Sequence, residues 1–315
     1  MRLNRPTEFQ SLDDLLNATY SDILENGVLI SDSKRGANIE IIQFAATLLN
    51  PRVRTSISLD RKLVQSKFAE FAWYLSKNRD KDFIMPYIAA YDREENQNNK
   101  ILGAYGPKIF GASECRKSQY ETVIEQIEKR VTTKQAYIAI SDSEDYKFRA
   151  EKYHSPPCTI GLHFYVRNAK LNLTVYMRSN DAYLGLPHDL FCFTMLQELV
   201  SLRTNTALGV YTHCVTSMHV YEIHQQKIKD YLNEGLHEPI EMPYIVDCSD
   251  EMLDLVSREF NPKIEKSNLQ KLNDYWRDYS LFSQKHNGSN TDRQSWKDLF
   301  KNENMKFIAL NSITE

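Results

Sequence analysis

The stretch that most constrains this chain is residues 159–203. Two segments, TIGLHFYVRN and KLNLTVYMR, are dense in aromatic and β-branched residues and meet at the tight Asn168-Ala-Lys connection, which predicts an antiparallel hairpin. An apolar run over 189–203 then recurs at helical spacing and predicts a central helix, as does a second periodic run over 213–233. A hairpin leading into core helices needs a sheet to join and a helical layer to cover it, so an α/β protein is expected.

The flanking sequence fits that expectation. Phe9 to Leu24 has helical spacing behind a Ser11-Leu-Asp-Asp start, and GVLISDSKRGANIEIIQFAATLLN reads as turn, strand, loop and strand. Lys62 to Leu75 reads as an amphipathic helix with Val64, Phe68, Phe71, Ala72 and Leu75 on one stripe. The polar DREENQNNK predicts an exposed loop, Gln119 to Arg130 a charged helix, and QAYIAI a strand. After about residue 246 the chain turns to charged helical segments, Asp250–Glu259 and Ser267–Lys285, followed by a flexible loop at SQKHNGSNTDRQS. The expected organisation is one main domain over 1–245 with a helical C-terminal extension over 246–315.

Bulk composition narrows the partners. With 315 residues and 42% hydrophobic content the chain can close one sizeable core. Its net charge of -3 does not call for nucleic acid, so any phosphate must be held by local groups. No apolar run approaches the roughly 18 residues of a membrane span, and MRLNRPTEFQSLDDLL lacks an apolar signal core, so a cytoplasmic protein with no membrane partner is expected. The five cysteines are odd in number, widely spaced and without a CxxC pair, which suggests neither a disulfide framework nor a metal site. They are expected to be reduced thiols, one of them a candidate nucleophile.

The chemistry is concentrated in PPCTIGLHFYVRNAKLNLTVYMRSNDAYLGLPHDLFCFTMLQELVSLRT and the following THCVTSMHVYEIH. In order, these carry Pro157-Cys158, Phe164-Tyr165-Val166, Arg178-Ser179-Asn180-Asp181, Leu184-Gly185-Leu186-Pro187, His219-Val220-Tyr221 and His224. That succession resembles the heart of thymidylate synthases. Upstream, Glu70 in KFAEFAWYL resembles the family's catalytic glutamate, and GAYGPKIFG resembles its GPxYG stretch with Tyr105 at the tyrosine. The resemblance covers roughly residues 50–245 and implies a large mixed β-sheet with flanking helices, a sheet-backed homodimer, a pyrimidine nucleoside monophosphate substrate and 5,10-methylenetetrahydrofolate as co-substrate.

Residue by residue, the resemblance makes Cys158 the nucleophile. Carbon 5 of a pyrimidine becomes nucleophilic only after a thiolate adds to carbon 6, and the thiolate is the attacking species. A lone cysteine is otherwise a small buried hydrophobe. Arg178 and Ser179 suit phosphate, through paired guanidinium hydrogen bonds and a hydroxyl; a surface arginine is the plain alternative. Arg52 and Arg54 are both candidates for a second phosphate arginine, and the sequence does not choose between them. Lys134 matches one of two arginines that synthases lend across the dimer, and Gln135 stands where the other would be. His219 and Tyr221, two apart, point the same way on an extended chain and would address the sugar 3′-hydroxyl, unless they are satisfied core packing. Asp181 and Tyr105 fall at cofactor-side positions.

One substitution alters the expected substrate. Where synthases open the helix after LGLP with Phe-Asn, this chain has His188-Asp189. A carboxyl group accepts from the 4-amino group of cytosine and, when protonated, donates to the ring nitrogen. An aspartate here marks the cytidylate hydroxymethylases of the superfamily; helix capping is the other use of an aspartate after proline. The stretch FIMPYIAAYDREE replaces the tryptophans that exclude water in synthases, and Ser155 stands three before the nucleophile. Both changes imply a wetter pocket, with Glu70 orienting water or moving its proton, or else lying exposed on its helix. The expected activity is folate-dependent 5-hydroxymethylation of dCMP or CMP. Alternatives are a divergent uridylate synthase or hydroxymethylase, and a non-catalytic nucleotide-binding regulator.

Overall fold

The computed structural model describes residues 7–33, 35–58, 64–93, 97–111, 117–147, 156–264, 269–284 and 295–311. The predicted hairpin is present: β5 (Thr159–Arg167) and β6 (Lys170–Asp181) pair antiparallel with Arg167 opposite Lys170. Asn168 and Ala169 both take positive φ, 53° and 58°, the left-handed pair that a two-residue turn needs to match strand twist. From the end of β6 the chain enters α7 (Gly185–Arg203) and returns as β7 (Ala207–Tyr221), which lies parallel to β6. A long crossover helix is what two parallel neighbours require.

Around this unit the described residues form a mixed seven-stranded sheet. Its path runs from β1 (Glu8–Phe9) through β3 (Asn38–Leu48), β7, β6 and β5 to β4 (Tyr137–Ala139), with β2 (Val28–Ile30) paired to β3. The fold is therefore α/β, a large mixed sheet flanked by helices, as expected. α1 (Leu12–Asn26) starts with Ser11 accepting from Asp14 N, and α5 (Gln119–Lys129) starts with a reciprocal Ser118–Glu121 capping box. α2 (Val64–Leu75) and α7 pack against each other, and nearly every side chain of α7 from Leu186 to Ser201 is buried. Pro187 sits in the first turn of α7, where its missing N–H costs no helical bond.

One expectation fails. The run over 213–233 is not a single helix: through Tyr221 it belongs to β7, and only after a short turn does α8 (Gln225–Glu234) begin. Along the first half of β7 burial alternates residue by residue, with Gly209, Tyr211, His213 and Val215 inward, and β3 and β6 satisfy its backbone on both sides. Tertiary pairing overrides the apparent helical period.

The residues after 246 pack onto the same core. α9 (Asp250–Phe260) lies against α2, and α10 (Asp274–Leu281) sends the Tyr279 hydroxyl to Phe68 O at 2.7 Å. Trp276 is buried and donates to Asp247 O at 2.6 Å. The loop expected over SQKHNGSNTDRQS lies almost wholly outside the described residues, as do Ser155 and Cys115.

Candidate active site

Cys158 stands just before β5, half-buried, where the strand ends bring several polar groups together. Arg178 on β6 braces it: the backbone N–H donates to Cys158 O at 2.9 Å, Nε to Pro157 O at 3.1 Å and Nη2 to Pro156 O at 2.8 Å. The thiol is thus carried on a loop fixed from both backbone and side chain by one arginine. Tyr105, at the start of α4 (Tyr105–Phe110), accepts from Thr159 N at 3.2 Å. Burial first, then the charges of Asp189 and Cys158, hold that phenol well above its ordinary pKa. Tyr105 therefore touches the loop that carries Cys158.

Below this lies an acid pair. Glu70 on α2 is only 7% exposed, which removes the exposed-helix reading. Its Oε1 accepts from the Tyr91 hydroxyl at 2.8 Å, and burial lifts its pKa from 4.5 to about 7, partly offset by hydrogen bonds from Tyr91 and Tyr74. Asp189 on α7 is half-buried and hydrogen-bonded by Asn180 Nδ2 at 2.7 Å. Desolvation, then the charge of Glu70, pushes its carboxyl well above the usual range. Asp189 does not cap α7, since it lies in the second turn; Asp181 is the residue at that end, its Oδ1 accepting from Tyr183 N at 2.8 Å and Leu184 N at 3.1 Å. Beside Asp189, His188 donates through Nδ1 to Leu184 O, so its Nε2 accepts from the Ser66 hydroxyl, each at 2.8 Å.

The opposite wall comes from the ends of β6 and β7. Asp181 is register partner to His219, and Ser179 Oγ lies 3.4 Å from His219 Nδ1. The His219 and Tyr221 rings meet edge to face at 5.0 Å, so the two do share a side of the strand. Burial keeps His219 below its ordinary pKa, against the pull of Asp181. The charge of Arg35, in the SDSKRGAN loop, acts on both His219 and Tyr221. Nothing local in SDSKRGAN signals this proximity, which arises because β3, following that loop, pairs with β7.

Arg52 and Arg54 are elsewhere. Arg54 is fully buried with Nη2 on Glu198 of α7, whose other oxygen accepts from Ile245 N at 2.9 Å. Arg52 pairs with Glu241 at 2.7 Å, donates to Met242 O at 2.8 Å and stacks its guanidinium 3.4 Å over the Tyr244 ring. Both arginines clamp the 241–245 segment to the core, and each pairs with a protein carboxylate. Lys134 lies between α5 and β4, its carbonyl 3.1 Å from His163 Nε2. With Lys129 and Arg130 it lines an open cavity of about 560 Å³. Among the described residues no group of three or more His, Cys, Asp or Glu is arranged to hold a metal.

A cysteine braced by an arginine where β5 begins and β6 ends, with one buried and one half-buried carboxyl group acting on the adjoining tyrosine, is an arrangement suited to covalent catalysis on an α/β scaffold. A solved structure of thermostable thymidylate synthase A from Bacillus subtilis shares the fold, with a TM-score of 0.60 and 21% identity over 73% of this chain and 87% of that one. The family model for thymidylate synthase matches residues 16–264, and the chain belongs to that family. Curated relatives include thymidylate synthases of Mycoplasma mobile, 29% identical over 119 residues, and Staphylococcus haemolyticus, 27% identical over 152. Those matches cover 35% and 47% of this chain and 40% and 46% of the relatives, so it spans less than half the length of the curated proteins it matches.

Proposed function

We propose that the protein adds a hydroxymethyl group to carbon 5 of a cytosine nucleotide, dCMP or CMP, using methylenetetrahydrofolate. The observation that carries this reading is Asp189: a carboxyl group, not an amide, which feels the charge of Glu70 and acts, together with Cys158, on the Tyr105 phenol. Its raised pKa favours the protonated form, which donates to a ring nitrogen and accepts from an exocyclic amine, the edge that cytosine offers.

The residues divide the work. Cys158 adds to carbon 6 as thiolate, breaking the ring's aromatic character and making carbon 5 a nucleophile. Arg178 holds the cysteine loop, and Ser179 and Arg35 supply a hydroxyl and a cation for phosphate. His219 and Tyr221 address the sugar. Glu70, half-ionised near neutral pH, exchanges protons at the base and orients the water that completes the product. When bound, the folate supplies the one-carbon unit. Asp181 suits its pterin edge: Oδ1 is committed to two backbone N–H groups, while Oδ2 takes no hydrogen bond among the described residues and remains an acceptor.

A uridylate substrate has one observation in its favour, since a protonated Asp189 also offers the donor and acceptor that uracil needs. Release of tritium from carbon 5 tests both. Dependence on Cys158 with labelled dCMP or CMP supports the proposal; release from uridylates alone replaces the base, and release from none leaves a nucleotide-binding role.

The sheet face carrying Tyr137 and Tyr176, 40% and 42% exposed, fits a second copy of the chain, with Lys134 available to that copy's phosphate. Sedimentation as a monomer at all concentrations overturns this assembly.

A further inference from the structure

Asp189 is the outlet of a longer hydrogen-bond chain. Its Oδ2 meets Asn180 Nδ2 at 2.7 Å, Asn180 Oδ1 meets His213 Nε2 at 3.2 Å, and His213 Nδ1 meets the Tyr211 hydroxyl at 2.7 Å. Tyr211 and His213 are fully buried and Asn180 is 4% exposed. Two adjacent strands build the chain: Asn180 comes from β6, while Tyr211 and His213 are alternate, inward residues of β7.

The direction of the chain is determined by its ends. Burial pushes the His213 pKa down to about 3, so the ring is neutral and carries one N–H. With that hydrogen on Nε2, the Tyr211 O–H donates to Nδ1, Nε2–H donates to Asn180 Oδ1, and the amide N–H donates to Asp189. Each link along the chain then joins one donor to one acceptor. The other tautomer leaves the Tyr211 hydrogen without an acceptor among the described residues and turns the Asn180 oxygen toward the carboxyl. Gly185 closes the space around the amide: a Cβ there would lie 2.8 Å from Asn180 Nδ2.

We propose that Asn180, His213 and Tyr211 are positioning residues that keep Asp189 Oδ2 an acceptor, so that the acid proton resides on Oδ1 and the nucleobase meets a fixed donor–acceptor order. This rests on the reading of Asp189 as the base-recognising group. A base with the complementary order is held at both atoms. A base with the reverse order places two donors together and two acceptors together, the mismatch by which polar sites discriminate most strongly. Without the relay the proton is free to sit on either oxygen, and the carboxyl matches either base. The role is thus one of specificity rather than of bond making.

The test is equilibrium binding of dCMP and dUMP, by calorimetry, to the wild type and to Asn180→Ala, His213→Phe and His213→Gln. The relay predicts that the ratio of the two affinities falls toward one by about tenfold or more in Asn180→Ala and His213→Phe. The glutamine side chain in His213→Gln keeps an N–H for Asn180, so the ratio should survive there. A purely structural role weakens both nucleotides alike and leaves the ratio unchanged. An unchanged ratio in Asn180→Ala or His213→Phe, with thermal melts showing folded protein, overturns the relay. So does a wild type with no preference. A wild type preferring dUMP instead defeats the cytosine reading, while the relay still requires the collapse in Asn180→Ala. Should His213→Phe fail to fold, Asn180→Ala decides alone.

Discussion

Replacing Tyr91 with phenylalanine removes one hydroxyl and should move the pH dependence of catalysis by a calculable amount. The Tyr91 O–H donates to Glu70 Oε1 at 2.8 Å, and this bond stabilises the carboxylate against the burial that raises its pKa to about 7. A hydrogen bond to a charged group contributes about 1.5–3 kcal/mol. Since one pKa step corresponds to about 1.4 kcal/mol, its loss should lift Glu70 by roughly 1 to 2. Removing a donor to the charged form disfavours ionisation, so the movement is upward. The limb of the carbon-5 tritium-release profile governed by Glu70 should shift from near neutrality toward alkaline pH. The Tyr91 ring packs edge-on against Trp73 at 5.3 Å, and phenylalanine preserves that contact. A limb that stays where the wild type has it would refute the assignment of that limb to Glu70, whatever happens to the maximal rate.

Glu70→Gln should stabilise the protein above about pH 7. A carboxyl whose folded pKa is raised favours the folded state while protonated, and wild type loses that advantage as pH climbs from 4.5 through about 7. The difference approaches about 3 kcal/mol by the pKa arithmetic and should vanish at acid pH, as denaturant melts across pH would show. Ala169→Gly should stabilise by roughly 0.5–1 kcal/mol, because Ala169 holds φ of 58° in the hairpin turn, where a Cβ is disfavoured; a loss of stability would mean that the turn is not under this strain. Arg54→Ala should cost about 3–5 kcal/mol by leaving Glu198 buried without its cation, and adding Glu198→Gln should recover part of that cost.

The sequence made the local elements readable wherever one segment decided its own form. The hairpin followed from Asn168-Ala-Lys and its flanks, α2 from its apolar stripe, and α5 from the Ser118 start. β7 was misread because its pairing partners, β3 and β6, lie far away in the chain, and only their ladders reveal its extended form. The same distance hides the site. Cys158, Arg178, His219 and Tyr221 were legible as motif residues, but nothing local says that Glu70 is buried or that Asp189 lies past the first turn of its helix. Asn180 and His213 are 33 positions apart and become neighbours only because β6 and β7 run parallel. Arg52 and Arg54 show a related limit: an arginine's charge is visible in sequence, whereas its partner, Glu241 or Glu198, is fixed by packing.

The central claim is that a cytosine nucleotide receives a hydroxymethyl group through Cys158, and mass spectrometry of the nucleotide product tests it most directly. The purified protein is incubated with methylenetetrahydrofolate and dCMP, CMP, dUMP or UMP in turn. The account predicts that a cytidylate gains the mass of one CH2O unit, and that Cys158→Ala abolishes the gain. A methyl or hydroxymethyl group on uridylate alone would contradict the account of Asp189, and a product that persists in Cys158→Ala would contradict the covalent mechanism.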